Sequence, residues 1–297
     1  MSESLVALSN AMAALVEAAG PTIVRVEARR RMPASGIVYS ADGLIVTSNH
    51  VVEESEGITI GLADGTSMKA TLVGRDPATD IALLRAERGG LTAATWVDAA
   101  ELKVGHLALA LGRPGKTVQA TLGIVSALGG AWRTGAGGEI DHYLQTDVVM
   151  YPGFSGGPLV DASGRVAGIN SSALARGVSA AVPAATVKRV VDALAAHGKM
   201  PRGYLGVGVQ PVRLAESLHA AVGQETGLMI MSVEDSSPAQ QGGLVQGDVI
   251  VSFDGQPIRG LDELQALLSG DWASKSLPVR LVRSGQVQTV TVMVGQG

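Results

Sequence analysis

The chain of 297 residues has no cysteine. That excludes disulfides, thiol nucleophiles and thiolate metal sites. Aromatic residues make up 3%, and Phe154 and Phe253 are the two phenylalanines, so any core must be built from Val, Leu, Ile and Ala. Charge is sparse as well, at 17% with a net −4, and the densest basic cluster is Arg29-Arg30-Arg31. Nucleic acid would require a larger electrostatic footprint, so no nucleic-acid partner is expected. A Walker motif, G-x-x-x-x-G-K-[ST], is absent, which excludes unfolding powered by ATP through that loop. No run approaches the ~20 apolar residues of a membrane span. The N-terminal stretch lacks a basic leader region, and Glu3 and Glu17 bracket its apolar part. A cytoplasmic protein without a membrane span is therefore expected, needing neither a metal nor a cofactor.

What is present favours packed β structure. Apolar residues reach 46%, and glycine accounts for 39 of 297 residues, nearly twice the usual ~7% share. Leu5, Leu8, Met12, Leu15 and Val16 have helical spacing, stopped by Gly20-Pro21. Short apolar runs then alternate with turn signals: "TIVRVEA", "SGIVYSADGLIVTS", "ITIGLADGTSMKATLVG", "DIALLRA" and "HLALALG". Asp42-Gly43 and Asp64-Gly65 are hairpin signals. A second series contains "ATLGIVSAL", "IDHYLQTDVVM", "GPLVDASGRVAGIN" and "GVSAAVPA". No long helix interrupts either series, which argues against a parallel βαβ sheet and for two barrels or sandwiches. Residues 184–196 read as a helix, and "HGKMPRG" as a linker. The boundaries are an N-terminal helix over 1–20, a two-barrel unit over 21–198, a linker over 199–203 and an α+β unit over 204–297.

One serine lies in an unusual setting, "MYPGFSGGPL" around Ser155. Gly153 to Gly157 fit G-x-S-x-G, but a strand follows where a hydrolase elbow needs a helix. The order His, Asp, Ser is the other candidate. Of the histidines before Ser155, His50 ends the apolar run "GLIVTSNHVV", a rigid place to mount a base. His106 and His142 read as structural. "GRDPATDIALL" offers Asp76, a turn residue before Pro77, and Asp80, which enters a strand where a carboxylate can be buried.

"TSNHVV", "DPATDIALLRA" and "YPGFSGGPLVDASGRVAGIN" resemble the three catalytic segments of trypsin-fold proteases of the HtrA (Deg) family. "RGYLGVGVQ" and "SPAQQGGLVQGDVIVSFDGQPI" resemble the PDZ domain of the same family. The resemblance implies a mainly β chain: a trypsin-like double six-stranded β-barrel followed by an α+β PDZ domain. It implies acyl transfer in which His50 takes the proton of Ser155 and Asp80 holds His50, with activity rising as the imidazole loses its proton. The N–H groups of Gly153 and Ser155 would form the oxyanion hole. Val149 and Met150 would floor a primary pocket for small or medium apolar side chains. Phe154, where relatives usually carry Asn, would either wall the substrate cleft or pack on neighbouring loops. Ile169, Asn170, Ser171 and Ser172 would be an edge strand pairing with substrate.

In the last unit, Tyr204, Leu205, Gly206 and Val207 would cradle a chain-terminal carboxylate. Leu261, Leu264 and Leu268, on one helix face, would flank the peptide groove or be core. Expected partners are unfolded proteins and C-terminal peptides, and family relatives are commonly trimeric. The reading is a serine endopeptidase independent of ATP. The rival from another class is a non-catalytic, PDZ-bearing peptide-binding scaffold with a degenerate site.

Overall fold

A computed structural model describes residues 3–175, 177–200, 203–268 and 275–296. The chain separates into two compact units, Met1–Met200 and Pro201–Gly297. Residues 201 and 202 of the expected linker lie outside the described residues.

The first unit opens with helix α1 (Glu3–Ala19), ended by a 3₁₀ turn at Gly20–Thr22 that contains Pro21. Its expected apolar face is engaged at the C-terminal end: Leu15 and Ala19 are buried, while Leu5 and Leu8 are exposed. Glu3–Thr22, 20 residues containing an 18-residue window of mean hydropathy 1.2, is long and apolar enough to cross a membrane by length and composition alone. One stretch therefore reaches the length of a span where none was expected, by a test that core helices and leader segments also pass; alanines supply apolar length where long aliphatic side chains are sparse.

Six strands follow: β1 (Ile23–Glu27), β2 (Ala34–Val38), β3 (Leu44–Ser48), β4 (Thr59–Gly61), β5 (Ser67–Asp76) and β6 (Ile81–Ala86). They close into a barrel in the order β1-β2-β3-β6-β5-β4. The Asp-Gly pairs turn its hairpins, with Gly43 and Gly65 at φ 102° and 84°, where a side chain would be strained.

The second barrel contains β7 (Leu107–Gly112), β8 (Gln119–Gly129), β11 (Tyr143–Thr146), β12 (Pro158–Asp161), β13 (Val166–Ser171) and β14 (Ser179–Pro183). A small hairpin of β9 (Trp132–Arg133) and β10 (Glu139–Ile140) interrupts it. The order is β11-β14-β13-β12-β7-β8. "HLALALG" is therefore the first strand of the second barrel, not the last of the first series. It pairs with β8 and β12, and a short apolar run carries no mark of its distant partner.

The barrels share one core because their strands are buried on both faces. In β6, Ala82, Leu84 and Ala86 fill the first barrel. The alternate residues Ile81 and Leu83 join Leu109, Leu111, Val160, Ile169 and Val182 of the second barrel. Period-2 alternation thus feeds two cores from one strand. Helix α2 (Ala184–His197) covers that shared core with Val187, Val190, Val191 and Leu194 and stops at Gly198, φ 71°, whose N–H returns to the Leu194 carbonyl.

The second unit runs β15 (Gly203–Tyr204), β16 (Val207–Arg213), α3 (Glu216–Val222), β17 (Thr226–Val233), α4 (Pro238–Gln241), β18 (Val249–Phe253), β19 (Gln256–Pro257), α5 (Leu261–Leu268), β20 (Ser276–Arg283), β21 (Gln286–Met293) and β22 (Gly295–Gln296). Its main sheet has the order β16-β17-β18-β20-β21, so β16 is an edge. Leu228, Ile230, Ile250, Phe253, Leu264 and Val292 belong to its core.

Candidate active site

After β3 the chain makes a 3₁₀ turn, Asn49–Val51, that carries His50. Asp80 closes the loop between β5 and β6. Asp76 shapes that loop by accepting the Ala78 N–H at 3.2 Å and the Thr79 hydroxyl at 2.7 Å. Asp80 itself is left-handed, φ 59°, a conformation aspartate tolerates better than most residues. Its carbonyl accepts the Asn49 N–H at 3.0 Å, and its Oδ1 accepts the His50 N–H at 2.9 Å. Two adjacent loops of the first barrel are thereby locked together before the imidazole is considered.

The imidazole then adds its own bond. His50 Nδ1 lies 2.8 Å from Asp80 Oδ2 and 3.0 Å from Oδ1. Ser171, from the second barrel, donates its hydroxyl to Asp80 Oδ2 at 2.5 Å. Burial, the largest influence on Asp80, pushes its carboxyl up. The hydrogen bond and charge of His50, with the Ser171 hydroxyl, outweigh it and hold the group below the ordinary carboxylate value. An ionised carboxylate on Nδ1 keeps the proton there and leaves Nε2 as the basic nitrogen.

The glycines around Ser155 have a steric reason. A Cβ on Gly153, φ 89°, would come within 2.5 Å of Pro114 Cβ. On Gly156, φ 87°, it would lie 2.1 Å from Thr47 Oγ1 and 2.2 Å from the Ser35 carbonyl oxygen. The loop is pressed against β2 and β3 too closely for side chains. Its carbonyls are held: Ser155 C=O accepts the Ser35 N–H at 3.2 Å, and Gly153 C=O accepts the Ser35 hydroxyl at 2.7 Å. Among the described residues the N–H groups of Gly153 and Ser155 have no acceptor. Paired backbone donors are the rule in folded chains, so two unpaired donors beside a hydroxyl can receive an anionic oxygen.

His50, Asp80 and Ser155 enter one hydrogen-bonded line, with an additional member. Ser155 Oγ is 3.1 Å from Ser172 Oγ, which is 3.4 Å from His50 Nε2. The other two histidines that precede Ser155 lie outside it: His106 Nδ1 accepts the Lys103 N–H, and His142 Nδ1 is buried without a partner among the described residues.

Several expected substrate contacts change. Phe154 is 0% exposed and sits in the core of the second barrel, edge-on to Tyr151 at 5.8 Å. It cannot wall a substrate cleft, because an apolar ring in a loop that turns inward gains most by leaving water. Ile169, Asn170 and Ser171 are not an edge: β13 pairs with β12 on one side and β14 on the other. Barrel closure consumes that edge, and the strand ends at Ser171, so exposed Ser172 is the first residue of the stretch beyond it. Val149 is exposed, whereas Met150 is half-buried against the barrel core. Sequence reasoning missed Ser35, the second residue of β2, and the side-chain roles of Ser171 and Ser172. A serine flanked by apolar residues gives no sign of which distant loop it will meet.

In the second unit, Gly206 has φ 75°, and a Cβ there would lie 2.4 Å from Ser237 Cβ. Leu205 and Gly206 turn their carbonyls inward, to the N–H groups of Ala239 and Glu234. Tyr204 hydrogen-bonds Glu234 through its hydroxyl. Val207 begins the edge strand β16. Leu264 is 3% exposed and belongs to the core, the second of its two expected readings and not the groove; Leu261 is exposed and Leu268 half-buried. Leu261 shares the face of Leu264 by spacing but is the first residue of the helix, at its end.

Comparison with known proteins agrees with both units. Residues 34–169 match the trypsin-like peptidase domain family, and residues 203–294 match the PDZ domain family. The probable periplasmic serine endoprotease DegP-like of Pseudomonas putida (strain GB-1) is 39% identical over 269 residues, 88% of this chain and 55% of that protein. The protein of the same description from Halomonas elongata is 38% identical over 274 residues, 90% of this chain and 57% of that one. The chain thus spans about half the length of these curated relatives. Among solved structures, the HtrA-type protease AlgW with tripeptide is 32% identical with a TM-score of 0.70, covering 96% of this chain and 97% of that one. The serine endoprotease from Yersinia pestis is 29% identical with a TM-score of 0.71, covering 95% and 97%. The periplasmic description of the relatives overturns the expected cytoplasmic location. A lack of cysteine is equally compatible with export, so it was no guide to compartment. The chain belongs to the HtrA (Deg) family of trypsin-fold serine proteases that carry a PDZ domain.

Proposed function

We propose that this chain is a serine endopeptidase of the periplasm that cleaves unfolded polypeptides by acyl transfer, without ATP. The observation that carries the reading is the buried Asp80 carboxylate bonded to His50 Nδ1 at 2.8 Å, with the Ser155 hydroxyl one hydroxyl away from Nε2. Ser155 turns about its Cα–Cβ bond to meet His50 directly. The Ser155 proton passes to His50 Nε2 as Oγ bonds the peptide carbonyl carbon, and the carbonyl π pair moves onto oxygen. The Gly153 and Ser155 N–H groups receive that oxyanion. The imidazolium, stabilised by Asp80, returns the proton to the departing amine, and water then hydrolyses the acyl-enzyme by the same steps.

Exposed Val149 contributes to an apolar primary pocket. Substrate backbone aligns along the chain from Ser172 onward, where β13 has lost its partners. In the PDZ unit, the Tyr204–Val207 loop takes a terminal carboxylate while the peptide adds a strand to β16. Exposed Leu5 and Leu8 of α1 suit contact between copies, with the trimer as the expected assembly.

A fluorophosphonate probe tests the peptidase reading: labelling lost in Ser155→Ala establishes the nucleophile. The scaffold reading draws support from the Ser155 bond going to Ser172 rather than His50, and a chain that neither labels nor digests unfolded casein favours it. For the PDZ unit, calorimetry with a free-acid peptide and its C-terminal amide decides; equal affinities refute carboxylate capture.

A further inference from the structure

Ser35 lies on β2 of the first barrel, 118 residues before Gly153, and is 0% exposed. Its carbonyl accepts the Thr47 hydroxyl within its own barrel at 2.7 Å, while its N–H and its hydroxyl meet the other barrel. Its N–H donates to the Ser155 carbonyl at 3.2 Å, and its hydroxyl donates to the Gly153 carbonyl at 2.7 Å. The same oxygen accepts the Arg113 N–H at 2.7 Å. Donor and acceptor capacity are both used, so the hydroxyl has one orientation. Arg113 is fixed in turn, because its guanidinium donates to the carbonyls of Gly20, Ile23 and Lys116.

These bonds act on the peptide planes around the nucleophile. A peptide unit is planar, so holding its carbonyl fixes its N–H. Ser35 Oγ, with the Phe154 N–H bond to the Tyr151 carbonyl, holds the plane between residues 153 and 154. The Ser35 N–H, with the Gly156 bond to the Asn170 carbonyl, holds the plane between 155 and 156. Between them lies the single plane whose N–H belongs to Ser155, and its Phe154 carbonyl accepts the Gly157 N–H at 2.9 Å. The Tyr151 and Asn170 bonds stay within the second barrel. The bonds from Ser35 come from the barrel that carries His50 and Asp80, so they register nucleophile against base.

We propose that Ser35 is a positioning residue for the reaction, aligning the oxyanion-hole loop and Ser155 with His50 across the barrel interface. This rests on the peptidase reading above. Ser35 lies behind the loop and touches no substrate, so its loss slows the chemical step and leaves substrate binding alone.

The test measures Ser35→Ala with a chromogenic peptide substrate, a peptide aldehyde and the same peptide as an unreactive carboxamide. The aldehyde forms a tetrahedral adduct that needs the aligned oxyanion donors; the carboxamide needs the cleft only. The expected result is a fall in kcat of roughly tenfold to a hundredfold, the scale of small misplacements at a reacting centre. Aldehyde affinity falls in proportion, while KM and carboxamide affinity stay within about threefold, less than half a decade and well under that effect. The shape of the pH profile is unchanged, because the His50–Asp80 pair is untouched. A folded Ser35→Ala with wild-type kcat, or one that loses carboxamide affinity equally, overturns the proposal. Should Ser35→Ala fail to fold, Ser35→Cys, which keeps volume but donates weakly, carries the same expectations and the same refutation. Wild-type protein that fails to label with fluorophosphonate ends the peptidase reading itself and this inference with it, an outcome distinct from a normal wild type with an unaffected variant.

Discussion

The hydroxyl of Ser172 lies 3.1 Å from the hydroxyl of Ser155. It also reaches His50 Nε2 at 3.4 Å, so Ser155 and His50 are joined through a third side chain. Both separations exceed the ~2.7–2.8 Å of a strong hydroxyl hydrogen bond, so the link yields easily. Ser172→Ala removes a competitor for Nε2 and should speed fluorophosphonate labelling of Ser155 by about threefold to tenfold, the equivalent of one modest hydrogen bond. Slower labelling would instead make Ser172 a proton relay.

Asp80 connects the site to acid stability. Burial opposes its charge, but His50 and Ser171 keep the carboxyl below its ordinary value. In acid the native state therefore binds fewer protons at this group than the unfolded chain does. The stabilisation is complete above the unfolded-state value of ~3.9 and is lost as pH falls through the lower native value. Urea midpoints of wild type and Asp80→Asn should converge between about pH 5 and pH 2. A constant gap across that range contradicts the assignment. Turnover of Asp80→Asn at neutral pH should fall by about 10³–10⁴, through loss of the correct imidazole tautomer.

Gly153 admits no side chain, since its φ is 89° and a Cβ would press to 2.5 Å from Pro114 Cβ. Gly153→Ala should cost roughly 1–3 kcal/mol from backbone strain and reduce kcat by about 10²–10³ through displacement of an oxyanion donor. Thermal unfolding and steady-state kinetics measure the two effects, and wild-type kcat refutes the hole.

Phe154 separates packing from specificity. Its ring is buried in the second barrel, so Phe154→Ala should destabilise by about 3–5 kcal/mol. Cleavage-site preferences, read by mass spectrometry of digested unfolded protein, should not change. A shifted preference with unchanged stability would restore the ring to the substrate cleft.

Local signals made much of this legible. Alternation and Asp-Gly turns announce strands and hairpins, and the order of "NH", "TD" and "GFSGG" segments announces His50, Asp80 and Ser155. The allegiance of β7 was not legible, because "HLALALG" suits either barrel until its neighbours β8 and β12 are known. The supposed edge at Ile169–Ser171 fails for the same reason: an edge is defined by a missing neighbour, which no strand encodes in itself.

By itself the sequence determined the class of chemistry, the strand-rich architecture and the hairpin turns that favour glycine, since these follow from side-chain type, short-range periodicity and φ preference. Tertiary structure alone decided that Phe154 turns inward, that Ser172 stands between Ser155 and His50, and that Ser35 reaches a loop 118 residues away. The reason is physical: hydrogen bonds and burial depend on distances between segments that become neighbours when two closed barrels pack against one core.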